Sequence, residues 1–135
     1  MKILVDTSVW SLALRRKPEK ANPEAVALKM IIEQGEDIYL MGIILQEVLQ
    51  GIKNPKDFYV LKEYLDAFPL IELIREDYIS AAELKNHLMK KGKQVSTIDA
   101  LIASTAISYG CYLFTTDRDF EHIAQYSKLK LYKYQ

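Results

Sequence analysis

Apolar residues along this chain fall into two rhythms that alternate, short unbroken runs and longer stretches spaced three and four apart. Ile3-Leu4-Val5 is a run of the first kind, typical of strands buried on both faces. Residues 38–41, 70–73, 112–115 and 129–132 also read as strands. Helices are predicted between the runs. One passes through Trp10, Leu12 and Leu14, with Thr7 and Ser8 as capping hydroxyls, and stops among Arg15, Arg16, Lys17 and Pro18. A second opens at Pro23, carries Val26, Met30 and Ile31, and ends at Gly35. A third carries Ile44, Leu45, Val48 and Leu49, with Gly51 as its C-cap. After a turn at 53–57, Phe58, Leu61, Tyr64 and Leu65 mark a fourth. Ile79, Ala82, Leu84 and Leu88 place a helix over 77–91, broken by Gly92. Another spans 98–109, capped by Ser96 or Thr97 and followed by Gly110, and a short one lies around 120–124.

Strands alternating with helices predict right-handed crossovers and a three-layer α/β/α sandwich around a mainly parallel sheet. No repeat, low-complexity tract or linker interrupts the pattern, so residues 1–135 read as one domain, and 50% hydrophobic residues suffice for its core.

Charge is balanced, 18 Lys+Arg against 18 Asp+Glu, so the net value neither favours nor excludes a polyanionic partner. Cys111 is the single cysteine, which rules out an internal disulfide and any thiolate zinc cluster and points to a reducing compartment. Beside Tyr112 and Leu113 it reads as an inert buried thiol. The first apolar run is too short for a signal peptide and no other could span a bilayer, so a cytoplasmic location without membrane contact is expected.

The chemistry lies in four acids, Asp6, Glu47, Asp99 and Asp117, each placed where an apolar segment ends or within a helix that follows one. Open α/β sheets gather ligands at the carboxyl ends of their strands. Carboxylates converging there would repel one another unless a cation neutralised them, and hard oxygen donors suit Mg²⁺ or Mn²⁺. Taken singly, each acid has a simpler reading as a helix cap or surface charge. Asp99, in the first turn of its helix, would gain a few tenths to about 1 kcal/mol from the helix dipole alone. Glu47 is the exception, because a helix so apolar leaves little solvated face for it. Only the joint pattern lifts the set.

Val5-Asp6-Thr7-Ser8, Gln46-Glu47-Val48, the run Thr97-Ile98-Asp99-Ala100-Leu101-Ile102-Ala103 and Thr115-Thr116-Asp117-Arg118-Asp119-Phe120 resemble, in order and separation, the motifs of PIN-domain ribonucleases. The likeness is greatest to the short toxins of VapBC toxin–antitoxin modules and covers nearly the whole chain. It implies Mg²⁺-dependent RNA cleavage, with Mn²⁺ able to substitute, a homodimer, and a cognate antitoxin partner. Carried over by residue, Asp6, Glu47, Asp99 and Asp117 match the acidic quartet, while Thr7 and Thr115 match hydroxyl positions that buttress it. Asp119 is either a further metal ligand or the N-cap of the helix beginning at Phe120. The quartet can hold one ion or two.

His87 and His122 lie in no acid–base arrangement, which argues against a metal-free ribonuclease built on paired imidazoles. Trp10 and the nine tyrosines fall at helical or strand spacing and read as packing, with Trp10, Leu12 and Leu14 offering a dimer or antitoxin surface. Cations that would hold RNA phosphates beside the acids are Arg15, Arg16, Lys53, Lys90, Lys91, Lys93 and Arg118, the last of which could instead pair with its acidic neighbours. Two other functions share the outline: a PIN-type nuclease of RNA processing, and a Mg²⁺-dependent phosphatase or phosphoacceptor domain. The latter fits less well, because Ser8 stands where a dehalogenase-like site needs a second aspartate.

Overall fold

Strand β1 (Lys2–Val5) is the middle of a five-stranded sheet, and its Ile3, Leu4 and Val5 are wholly inaccessible to solvent. An unbroken apolar run suits that place, since both faces of a central parallel strand are covered. A computed structural model describes residues 1–14 and 22–134. The other strands are β2 (Asp37–Met41), β3 (Leu70–Ile71), β4 (Tyr112–Phe114) and β5 (Lys130–Leu131), all parallel in the order β3-β2-β1-β4-β5. The helices are α1 (Thr7–Ala13), α2 (Pro23–Glu33), α3 (Gly42–Leu49), α4 (Pro55–Leu65), α5 (Arg75–Lys90), α6 (Thr97–Ser108) and α7 (Asp119–Gln125). α1 packs on α2 and α3, whereas α6 packs on α5, α7 and β4. The expected α/β/α architecture is therefore the observed one.

That strand order has a direct consequence. From β1 the chain builds outward through β2 and β3, then returns to place β4 on the opposite side of β1. The carboxyl ends of β1 and β4 therefore flank a topological switch point, where the connections diverge and leave a crevice. Leu4 pairs with Leu113 and Val5 with Phe114, and the Asp6 amide extends the ladder by donating to the Phe114 carbonyl at 2.9 Å. The two strand ends are thus held level.

Local chemistry shifts several element boundaries from their sequence expectation. The 53–57 segment is a helix start as much as a turn, because the Asn54 side chain accepts from the Lys56 and Asp57 amides and Pro55 opens α4. β3 keeps two residues of its expected 70–73 run, and α5 begins at Arg75, where Asp77 Oδ2 accepts from the Ile74 amide at 2.8 Å. On α5 the buried stripe runs through Ala81, Leu84 and Leu88, while Ile79 and Ala82 face outward. A helix lying on one neighbour buries a single stripe, and apolar residues off it stay wet. Arg15 and Arg16 lie outside the described residues. No helix among the described residues is long and apolar enough to cross a membrane.

Trp10 is a core residue, which corrects its expected place on a partner surface. It is inaccessible to solvent, its indole donates to the Val5 carbonyl at 3.1 Å, and its ring meets Phe68 and Tyr64 edge-on at 5.2 and 6.5 Å. It ties α1 to the end of β1, directly after which Asp6 lies. Trp10→Ala should lower unfolding stability by about 3–5 kcal/mol. Urea titration followed by circular dichroism checks this, and a loss below about 1 kcal/mol would mean the site collapses around the missing ring.

Candidate metal centre

Asp6 follows β1 directly and is 7% exposed, so its carboxylate must be satisfied by the protein or by an ion. Both Ser8 and Thr115 donate to the same oxygen, Oδ2, at 2.9 Å. Each hydroxyl is itself fixed from behind. Thr115 accepts from the Asp117 amide at 3.0 Å, and Ser8 accepts from the Thr116 amide at 3.1 Å. This small network ties the segment after β1 to the segment after β4. Thr7 points elsewhere, donating to Glu47 Oε1 at 2.9 Å and so linking α3 to the same edge. The capping expected of Thr7 and Ser8 is not found, since α1 has no side-chain cap. A hydroxyl bonded to a carboxylate gains more than one bonded to a backbone amide.

Asp99 reaches the same edge from the first turn of α6. Ser96, not Thr97, caps that helix, accepting from the Asp99 amide at 3.0 Å. Asp117 folds back so that its Oδ1 accepts from the Asp119 amide at 2.9 Å. Asp119 is therefore the first residue of α7, with no capping bond from its own side chain, and the expected choice for it falls against the N-cap. Asp99, Asp117 and Asp119 each place a carboxylate oxygen within 4.8 Å of the others. Asp99 is half-buried and the other two are exposed.

Electrostatics record the crowding. Burial raises the Asp99 pKa above its ordinary 3.8, the Asp117 charge raises it further, the Ser96 hydroxyl opposes, and the Asp6 and Asp119 charges add to the rise. Asp6 thus belongs to the same field as the trio. Glu47 is held by Thr7 and is not among the three clustered acids. The donor set is all carboxylate, open to water on one side and free of thiolate and imidazole. Such a set fits a hard divalent cation that keeps several waters, such as Mg²⁺ or Mn²⁺.

The expected cations are dispersed. Arg118, Lys53, Lys90 and Lys91 are exposed, and among the described residues no ion pair joins Arg118 to Asp117 or Asp119. Lys93 is half-buried with its ammonium 5.6 Å from the Tyr126 ring centre. Sequence reading passed over Ser8 as a member of the centre. Its only signal was a small hydroxyl two positions after a strand-end acid, which a cap explains equally well.

The PIN domain family profile matches residues 3–126. Ribonuclease VapC1 of Methanocaldococcus jannaschii is 29% identical over 133 residues, covering 97% of this chain and 87% of that protein. Ribonuclease VapC1 of Rickettsia felis is also 29% identical, over 131 residues and 91% of each chain. In fold the chain is similar to the Rickettsia felis VapBC2 structure bound to a promoter DNA fragment, with a TM-score of 0.79 at 22% identity and complete coverage of both chains.

The raised pKa of Asp99 has a testable sign. Between the ordinary and the raised value the native protein holds this proton more tightly than the unfolded chain, so stability is lost as pH rises through the raised value. In the metal-free protein, Asp99→Asn should melt a few degrees higher than wild type at neutral pH, and the gain should fade below pH 3.8. Thermal melts of both proteins in EDTA across this range decide it. Equal or lower melting of the variant at neutral pH would show that the acids do not strain one another.

Proposed function

This chain belongs to the PIN domain family, and from that premise we propose that it is a Mg²⁺-dependent endoribonuclease, the toxin of a VapBC-type pair, acting in the cytoplasm. The observation that carries the reading is the meeting of Asp99, Asp117 and Asp119, with Asp6 in the same field, at the sheet's switch point. Relatives of similar length named ribonucleases support it. A phosphatase reading loses its ground, because the family matched is a different one.

Phosphodiester hydrolysis needs a water aligned with the phosphorus and a sink for charge on the phosphoryl and leaving oxygens. Bound Mg²⁺ or Mn²⁺ supplies Lewis acidity for both. The chain's own residues prepare that chemistry. Asp99, Asp117 and Asp119 would hold the ion. Asp6, fixed by Ser8 and Thr115, keeps a charge in place that cannot swing away. Glu47, fixed by Thr7, extends the negative edge towards α3. Each of these contacts orders a carboxylate before substrate arrives, and misplaced ligands are costly in such centres.

For the cognate antitoxin we propose the recess of about 620 Å³ between the end of α1 and α4, lined by Leu14, Ile52, Val60, Leu61 and Tyr64 together with the charged Lys56 and Asp57. Val60 and Tyr64 are 61% and 45% exposed, a wet apolar surface that suits an apolar segment of a protein partner. The same reading carries a homodimer.

Purified free of partners, the protein should cut structured RNA with Mg²⁺ or Mn²⁺ and stop in EDTA. Asp6→Asn should lower cleavage by orders of magnitude while the melting temperature holds or rises. Undiminished cleavage in EDTA would sink the metal mechanism. For the partner surface, light scattering after size exclusion should give a dimer for the chain alone and a larger complex with the product of the adjoining reading frame. Val60→Glu should abolish the complex and keep the dimer; a complex unaffected by this charge would place the antitoxin elsewhere.

A further inference from the structure

The turn between α5 and α6 is a wall shared by two recesses beside the acidic cluster. On the α7 side, a recess of about 210 Å³ lies among Lys93, Gln94, Val95, Asp119, His122 and Ile123. On the α5 side, one of about 580 Å³ runs from Lys85 and Met89 to Ser96. Asp119 belongs both to the acidic cluster and to the smaller recess. Whatever fills that recess sits next to the reacting phosphate.

The wall is held in place. The Gly92 amide donates to Met89 and the Lys93 amide to Leu88, and Gly92 reverses the chain at φ +75°. The Lys85 ammonium donates to the Val95 carbonyl. Lys93 lies over the Tyr126 ring, and the His87 ring meets the Tyr126 carbonyl at 3.0 Å. The turn then passes into Ser96, the cap of the helix that carries Asp99. Wall and cluster are therefore joined through Ser96.

The lining has the chemistry of a nucleotide site. Half-buried Val95 offers an apolar edge for the face of a base, with the wholly buried Ile123 behind it, and Gln94 carries both a donor and an acceptor for the base's edge. His122 adds a second polar contact, and Lys93 a cation for a phosphate. A recess this small excludes a duplex, whereas splayed bases of single-stranded RNA are read in such pockets by stacking and edge hydrogen bonds. We infer that the recess between the 92–95 turn and α7 takes the nucleotide adjoining the scissile bond, read by Gln94 and His122 and held by Lys93, with the strand continuing past Lys85. This rests on the ribonuclease reading.

The test uses the full chain with Mg²⁺ and a pool of random-sequence RNA, sequencing the cut ends and measuring kinetics on one preferred substrate. Cleavage by wild type tests the ribonuclease reading itself; its absence overturns both. Given cleavage, Gln94→Ala and His122→Ala should each raise KM about fivefold to tenfold, as for one or two lost hydrogen bonds. Their kcat should change by less than about twofold, and both should flatten the base preference beside the cut. Lys93→Gln should raise KM without altering that preference. Since Gln94 and His122 are exposed, melting temperatures should stay at the wild-type value. Unchanged KM and base preference, or a fall in kcat alone, would overturn the inference.

Discussion

The buried Asp6 carboxylate, gripped at one oxygen by Ser8 and Thr115, is the contact on which the site depends. Those hydroxyls are fixed by the amides of Thr116 and Asp117, so the charge that needs them also sets the course of the chain beyond β4. That course fixes Asp117, whose carboxylate sets the Asp119 amide and hence the start of α7. One desolvated charge thus organises two strand ends and a helix start. A buried carboxylate left unsatisfied would cost more than any of these turns contributes, which explains why so many local groups are committed to it.

Opposed to that order is the repulsion of the acids themselves. Burial and three neighbouring carboxylates raise the Asp99 pKa, so the protein carries a strained cluster wherever no cation relieves it. Active sites commonly store instability of this sort, and the rest of the fold must bear it. Here the bearing parts are the sheet centre of Ile3, Leu4 and Val5, and α6, whose Ala100, Ala103 and Ala106 are small enough to let the helix lie deep in the molecule. Trp10 belongs to the same scaffold, bonding to the last residue of β1.

The crevice differs in its surroundings from the other large recess. Its α7 side is polar and narrow, with Gln94, His122 and Lys93 around a small recess, whereas a separate recess between α1 and α4 is larger and mostly apolar, with Lys56 and Asp57 in its lining. A strand of RNA and a protein partner ask for different surfaces, the first for cations and base edges, the second for apolar area.

The layering of helices on a mainly parallel sheet was legible in the sequence, because apolar runs and helical spacing are local signals, whereas the strand order β3-β2-β1-β4-β5 was not, since pairing joins segments far apart in the chain. Asp6, Asp99 and Asp117 stood out there only as a joint pattern, since a charge at a strand end or in a first helical turn serves equally well as a cap or surface group; the fold brings Asp99 and Asp117 together. What could not be read locally is whose oxygen meets whose. Ser8 looked like a cap and became a brace for Asp6; Asp119 looked as much like a cap as a ligand and joined the cluster; Ile79 continued an apolar rhythm and yet faces water. Each outcome depends on contacts between residues far apart in the chain, such as Ser8 with Thr116 across 108 positions and Thr7 with Glu47 across 40. Periodicity and capping rules describe a residue and its neighbours within a turn or two. The position of a hydroxyl relative to a distant carboxylate follows from how β1, β4 and α3 are packed, and that packing is a property of the whole fold.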